Sequence, residues 1–112
     1  MKLGSEILYL SRADIAACDV PLVDVEASVE AMFASKAKGT AMMKPKLALH
    51  SDSGWFLAMI GGIKDKGYTG MKWVGVTSTQ THGGQPHING QIVINDFTTG
   101  MPVAVMDAQW IT

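Results

Sequence analysis

The spacing of apolar positions changes once along this chain, at Gly39. Before it, apolar residues recur at helical intervals; after it, they alternate or run together as strands do. Ile7-Leu8-Tyr9-Leu10 predicts a short first strand. Ser11-Arg12-Ala13-Asp14 has the spacing of a capping box and predicts a short helix over about 12–18. Asp19-Val20-Pro21 predicts a second helix start, with proline in the first turn. Leu22, Val25, Val29, Met32 and Phe33 then share one helical face. Asp24 and Glu26 sit near that helix's start and Lys36 and Lys38 near its end, as the helix dipole favours. Gly39 is the expected stop.

Beyond Gly39 the pattern predicts strands over 43–50, 55–60, 70–76, 88–95 and 101–106. Gly61-Gly62 and Gly67 are expected to break the middle of this region. Ser78 to Gln85 is polar and glycine-containing and predicts a loop. Asp96-Phe97-Thr98-Thr99-Gly100 predicts a hairpin connection. The order of strand, two helices and a run of strands predicts an α+β fold. Its two N-terminal helices pack on a mixed, largely antiparallel β-sheet. No repeat or linker divides residues 1–112, which read as a single domain.

Composition narrows the classes. The chain is 47% hydrophobic and 17% charged, with nine basic against ten acidic residues and a net charge of -1. No block of like charge favours nucleic acid or an anionic membrane surface. The apolar runs fall far short of the ~20 residues that span a bilayer. The N-terminus lacks the apolar core and cleavage site of a secretory signal. With Cys18 as the only cysteine, there is no internal disulfide, and a reducing cytoplasmic setting is expected. Cys18 itself is expected to be a small buried hydrophobe rather than a nucleophile. A greasy composition in so short a chain predicts self-association.

The most suggestive chemistry is at Lys72, in Gly70-Met71-Lys72-Trp73-Val74-Gly75-Val76. In a strand, Lys72 shares a face with Val74 and Val76, and Met71 and Trp73 take the other. Neither face is polar. An ammonium partly withdrawn from water there suits acid–base work or pairing with a carboxylate or carbonyl. The commoner case for this spacing is a lysine snorkelling from a strand end to solvent. Lys44, Lys46, Ala48 and His50 alternate onto one face, where the two cations could hold a carboxylate or simply protect a sheet edge. His50, His82 and His87 have no metal-ligand spacing, and no metal site is expected. His87, after a glycine-rich stretch, is placed to touch a ligand or to be a loop histidine. There is no Gly-x-Ser-x-Gly, no Gly-x-Gly-x-x-Gly and no phosphate loop.

In order and spacing, these pieces resemble the N-terminal half of the ornithine cyclodeaminase/μ-crystallin family. The likeness runs through Leu8-Tyr9-Leu10-Ser11-Arg12-Ala13-Asp14-Ile15, Val29-Glu30-Ala31-Met32-Phe33 and Lys44-Pro45-Lys46-Leu47-Ala48-Leu49. It continues in Trp55-Phe56-Leu57-Ala58-Met59, Gly70-Met71-Lys72-Trp73-Val74 and Gly90-Gln91-Ile92-Val93-Ile94-Asn95-Asp96. Thr99-Gly100-Met101-Pro102 and Met106-Asp107-Ala108-Gln109-Trp110-Ile111-Thr112 close it.

The resemblance implies a substrate-binding and dimerisation domain, followed in the family by a Rossmann domain that holds NAD or NADP. It implies hydride transfer at the carbon beside a carboxylate, on an amino acid, imino acid or cyclic ketimine, and a homodimer. Lys72 matches the family lysine beside the reacting carbon. Lys46 falls where an arginine often binds the substrate carboxylate, and Met59 and His87 fall among pocket-lining positions. Ornithine-specific members carry a glutamate where this chain has Ala58, so ornithine itself is not the expected substrate. The usual proline after the methionine is Ile60. The family's arginine-threonine-alanine-alanine run and glycine fingerprint do not occur. The chain therefore reads as the substrate half of a two-domain enzyme, ending at Thr112 where a helix would begin. It is expected to bind no NAD or NADP and to be inactive by itself. The alternatives are a non-enzymatic, dimerising module that binds small carboxylates, or one half of a split enzyme.

Overall fold

The computed structural model describes residues 1–77 and 86–112. The loop expected over Ser78 to Gln85, with His82, lies outside the described residues. Ten elements follow in order: β1 Leu8–Leu10, α1 Arg12–Ala17, α2 Leu22–Ala37, β2 Ala41–Met43, β3 Leu47–Ser51, β4 Gly54–Ile63, a 3-10 turn at Lys64–Lys66, β5 Tyr68–Thr77, β6 Ile88–Asp96 and β7 Pro102–Asp107. All strands join one seven-stranded sheet in the order β1-β7-β6-β5-β4-β2, with β3 also paired to β4. Among the described residues, only β1 with β7 is a parallel strand pair; the other strand pairs are antiparallel. The expected α+β fold with a mixed, largely antiparallel sheet is the observed one.

Local chemistry explains the well-placed boundaries. The Ser11 hydroxyl accepts from the Asp14 amide at 3.2 Å, and the Ser11 amide donates to the Asp14 carboxylate at 2.8 Å, completing the capping box of α1. Gly39 ends α2 in the left-handed conformation, with φ +75°. At the β6–β7 hairpin, the Asp96 carboxylate accepts from the Thr98 and Thr99 amides at 3.1 and 2.7 Å. Pro21 precedes α2 as its N-cap, in extended conformation, rather than entering the first turn.

Other expectations are corrected. The strand expected over 43–50 is two strands on the same edge. β2 pairs with Gly61–Ile63 and β3 with Gly54–Ala58, and the break falls at Lys44-Pro45-Lys46. Proline has no amide proton to give to a ladder. Three residues here oppose two of β4, so the register slips by one. Lys44 and Lys46 therefore do not alternate onto one face as a continuous strand would have placed them. Gly61-Gly62 does not break β4 but lies within it, opposite Gly70 and Thr69. Gly67 does turn the chain, at φ +77°. Cys18 is exposed, its thiol donating to the Asp14 carbonyl at 3.3 Å.

The core is small. Val74, Ala104 and Ala108 are buried, and no large side chain among the described residues is fully so. The apolar face of α2 is not its packing face: Leu22 is 73% exposed and Phe33 59%. The helix is held at its C-terminal end instead. Ser35, buried at 2%, donates to the Asp65 carboxylate at 2.9 Å, and the Thr40 hydroxyl donates to the Ser35 carbonyl at 3.0 Å.

Candidate functional site

The central hairpin β4–β5 decides which side chains meet. Cross-strand partners share a face, so register assigns faces directly. Lys72 pairs with Met59 on one side and Ile92 on the other. Ile92 in turn faces Met106, and Met106 faces Leu10. Lys72 thus sits in an apolar row that crosses the sheet, on the face of Val74 and Val76. Met71 and Trp73 occupy the opposite face, as the alternation predicts. The β3 ladder ends with Leu47 opposite Ala58. Lys46 lies just before that ladder, outside β3, and is exposed. Met59 and Lys72 share one row on one face.

That row borders a hollow of about 490 Å³ between the sheet and α2. Its walls include Met32 from α2, Met43 and the Met42 backbone from β2, and Ile63, Ile92 and Ile94 from the sheet. Lys72 and Lys66 both line it. Gly61 and Gly70, directly opposed across β4 and β5, leave the floor without side chains. No carboxylate lines this hollow among the described residues.

A second hollow of about 500 Å³ lies on the opposite face. The Phe56 and Trp73 rings stack there with centroids 5.8 Å apart and an interplanar angle of 14°. Gly75 makes this possible, since a Cβ on it would lie 3.0 Å from the Phe56 ring. His87, whose carbonyl accepts from the Thr77 amide at 3.0 Å, lines this second hollow with Asn89, Gln91 and Asp107. The structure therefore sets Met59 beside Lys72 and His87 on the opposite face, while Lys46 lies outside the paired strands and does not line the hollow. Ala58 pairs with Trp73 and shares its face, away from Lys72. An acid at position 58 would follow Trp73, so the substrate argument built on Ala58 does not reach the Lys72 hollow. Sequence reasoning missed Met32, Gly61 and Gly70 as wall and floor. The glycine pair was visible in the sequence but is naturally read as a break.

No group of three or more potential metal ligands converges among the described residues. No helix among them is long and apolar enough to cross a membrane.

Residues 8–112 match the ornithine cyclodeaminase/mu-crystallin family. The chain belongs to that family. The nodulation efficiency protein NfeD of Rhizobium meliloti is 32% identical over 107 residues, covering 95% of this chain and 33% of NfeD. Two solved structures share the fold closely. An archaeal alanine dehydrogenase, described as a dimer with bound NAD, aligns with a TM-score of 0.85 at 30% identity, covering 94% of this chain and 32% of its own. The Δ(1)-pyrroline-2-carboxylate reductase of Thermococcus litoralis, in complex with NADH and L-proline, aligns with a TM-score of 0.86 at 28% identity, covering 94% and 33%. The chain spans about a third of the length of the relatives it matches.

Proposed function

We propose that this chain is the substrate-binding and self-associating part of an NAD(P)-dependent enzyme. The reaction is hydride transfer at the carbon beside a carboxylate, in an amino acid, imino acid or cyclic ketimine. The observation that carries this reading is the pairing of Met59 with Lys72 on the face where Lys72 lines the apolar hollow. A cation among apolar walls is costly unless an anionic or polar group receives it. A substrate carboxylate or carbonyl is such a group. Lys72 holds the reacting end of the substrate and gives or takes a proton at Nζ. Lys46, at the exposed edge, steadies the carboxylate as a point charge, without the two-pronged geometry of arginine. His87 has no part in this reading, because it lines the other hollow.

The described residues do not fit a dinucleotide. The parallel pair β1 and β7 carries no strand–helix–strand crossover that would bring a glycine-rich turn to a helix N-terminus. Neither α-helix opens from a glycine. In this reading another part of the enzyme supplies the cofactor. The NAD and NADH in the two related structures, each of which this chain covers to about a third, support that division. So does the dimer of the archaeal relative for self-association.

Binding of a 2-oxo acid to the chain tests the reading. Pyruvate should shift the amide resonances of β5 around Lys72, and Lys72→Ala should abolish those shifts. Equal binding by the variant would remove Lys72 from the site.

A further inference from the structure

The Lys72 hollow has a shape and chemistry that narrow the substrate class, on the footing of the reading above. Lys72 lies four residues along β5 from Tyr68, roughly 13 Å at strand spacing, and both line the hollow. Between them the floor is the Gly61–Gly70 pair. Gly70 has no room for a side chain, since a Cβ there would meet the Val93 carbonyl oxygen at 2.5 Å. Gly61 is different: its nearest neighbour to an added Cβ is the Met42 carbonyl oxygen at 3.4 Å, an ordinary contact. The open floor at Gly61 is thus space that a larger residue could occupy. Around it stand Met32 and Met43, with Ile63, Ile92 and Ile94. Methionine is unbranched and polarisable, and adapts to flexible aliphatic chains.

Charge points the same way. The hollow is lined by Lys72 and Lys66, and no carboxylate lines it among the described residues. A substrate tail ending in an ammonium would find cations and no counter-ion. Lys66 is exposed and has Asp65 beside it, its charge already helping to lower the Asp65 pKa. It is therefore a poor anchor for a second carboxylate.

We propose that the trough over Gly61 and Gly70 receives an uncharged, unbranched aliphatic side chain of a 2-oxo or 2-imino acid whose carboxylate end lies at Lys72. Each buried methylene strengthens binding by about fourfold. The three that separate pyruvate from 2-oxohexanoate give a ceiling of about 60-fold, and at least tenfold is expected from an open trough.

The test uses the chain itself, labelled at its methionine methyl groups and titrated with pyruvate, 2-oxobutanoate, 2-oxohexanoate and 2-oxoglutarate. Affinity should rise along the aliphatic series, and 2-oxoglutarate should bind no better than pyruvate. The Met32 and Met43 methyl signals should move with 2-oxohexanoate, while those of Met1 and Met101 stay fixed. Gly61→Val should flatten the series by filling the trough. Lys72-dependent binding of equal strength along the series overturns this proposal and leaves the Lys72 site standing. So does tightest binding by 2-oxoglutarate. A graded series unaffected by Lys72→Ala overturns the Lys72 reading and the proposal with it, as does no binding of any 2-oxo acid.

Discussion

The Ser35 hydroxyl donates to the Asp65 carboxylate at 2.9 Å, joining the last turns of α2 to the 3-10 turn that follows β4. This bond, with Thr40, holds a helix whose apolar face is otherwise uncovered.

Acid should loosen that tie. Desolvation pushes the Asp65 carboxyl up, but bonds from Ser35, Thr40 and its own backbone, with the Lys66 charge, outweigh it and hold the group below the ordinary carboxylate range. A depressed folded-state value stabilises the fold fully above the unfolded-state value of about 3.9, and that stabilisation is lost as pH falls through the lower folded value. Asp14, held down by the Ser11 side-chain and backbone bonds, and Asp96, by those of Thr99, carry the same sign. The urea midpoint should therefore be flat from neutral pH to about 5 and fall below about 4. Ser35→Ala should lower the midpoint at neutral pH and make the acid fall shallower. An equally steep fall in the variant would show that Ser35 does not set the Asp65 carboxyl.

Gly70 tests the packing of the central hairpin. Any Cβ there meets backbone, the Val93 carbonyl oxygen, rather than the end of a flexible side chain. Gly70→Ala should therefore destabilise by about 1–3 kcal/mol, the range of overpacking changes. Gly61→Ala, with its nearest contact at 3.4 Å, should cost far less. Urea unfolding of the two variants side by side decides the point, and equal costs would contradict the assigned floor geometry.

How far the sequence could be read follows from range. Capping at Ser11 and Asp14, the stop at Gly39 and the Asp96 turn are local chemistry, and all were legible. The alternation that sets Lys72 against Trp73 was legible for the same reason. The split at Pro45 depended on two short strands sharing one long partner, which no local pattern records. Gly61-Gly62 was misread because glycine breaks most strands, whereas here Gly61 faces another glycine across the ladder. The α2 stripe was legible as a stripe, but periodicity does not say what covers it. Lys72 and His87 were both candidates for one pocket, and the register alone separates their faces.

Exposed apolar groups on α2 and around the edge strands, among them Leu22, Phe33, Met43 and Leu47, leave much surface for a second copy. Light scattering at micromolar concentration and moderate salt should give a mass well above the 12.0 kDa of one chain. A monomer across that range would remove self-association from the proposed function.

The two lysines should separate kinetically in the enzyme that carries this domain beside its cofactor-binding part. Lys72 is half-buried in the middle of a paired strand, between Met59 and Ile92, and the proposed function gives it the proton transfer. A group that moves a proton in the transition state typically contributes about 100-fold or more. Lys72→Ala should accordingly lower kcat by roughly two orders of magnitude or more. The fold should persist, because removing a cation from an apolar row leaves no unpaired charge behind. Lys46 is exposed at the end of the β3 ladder, so its attraction for a carboxylate is felt alike in ground and transition states. Lys46→Ala should raise KM more than it lowers kcat. Lys46→Arg should restore or improve KM, since arginine adds a second prong to the same charge. Steady-state kinetics on the three variants read these outcomes apart. A near-normal kcat for Lys72→Ala would make Lys72 only a strand lysine and leave the row without its reacting group.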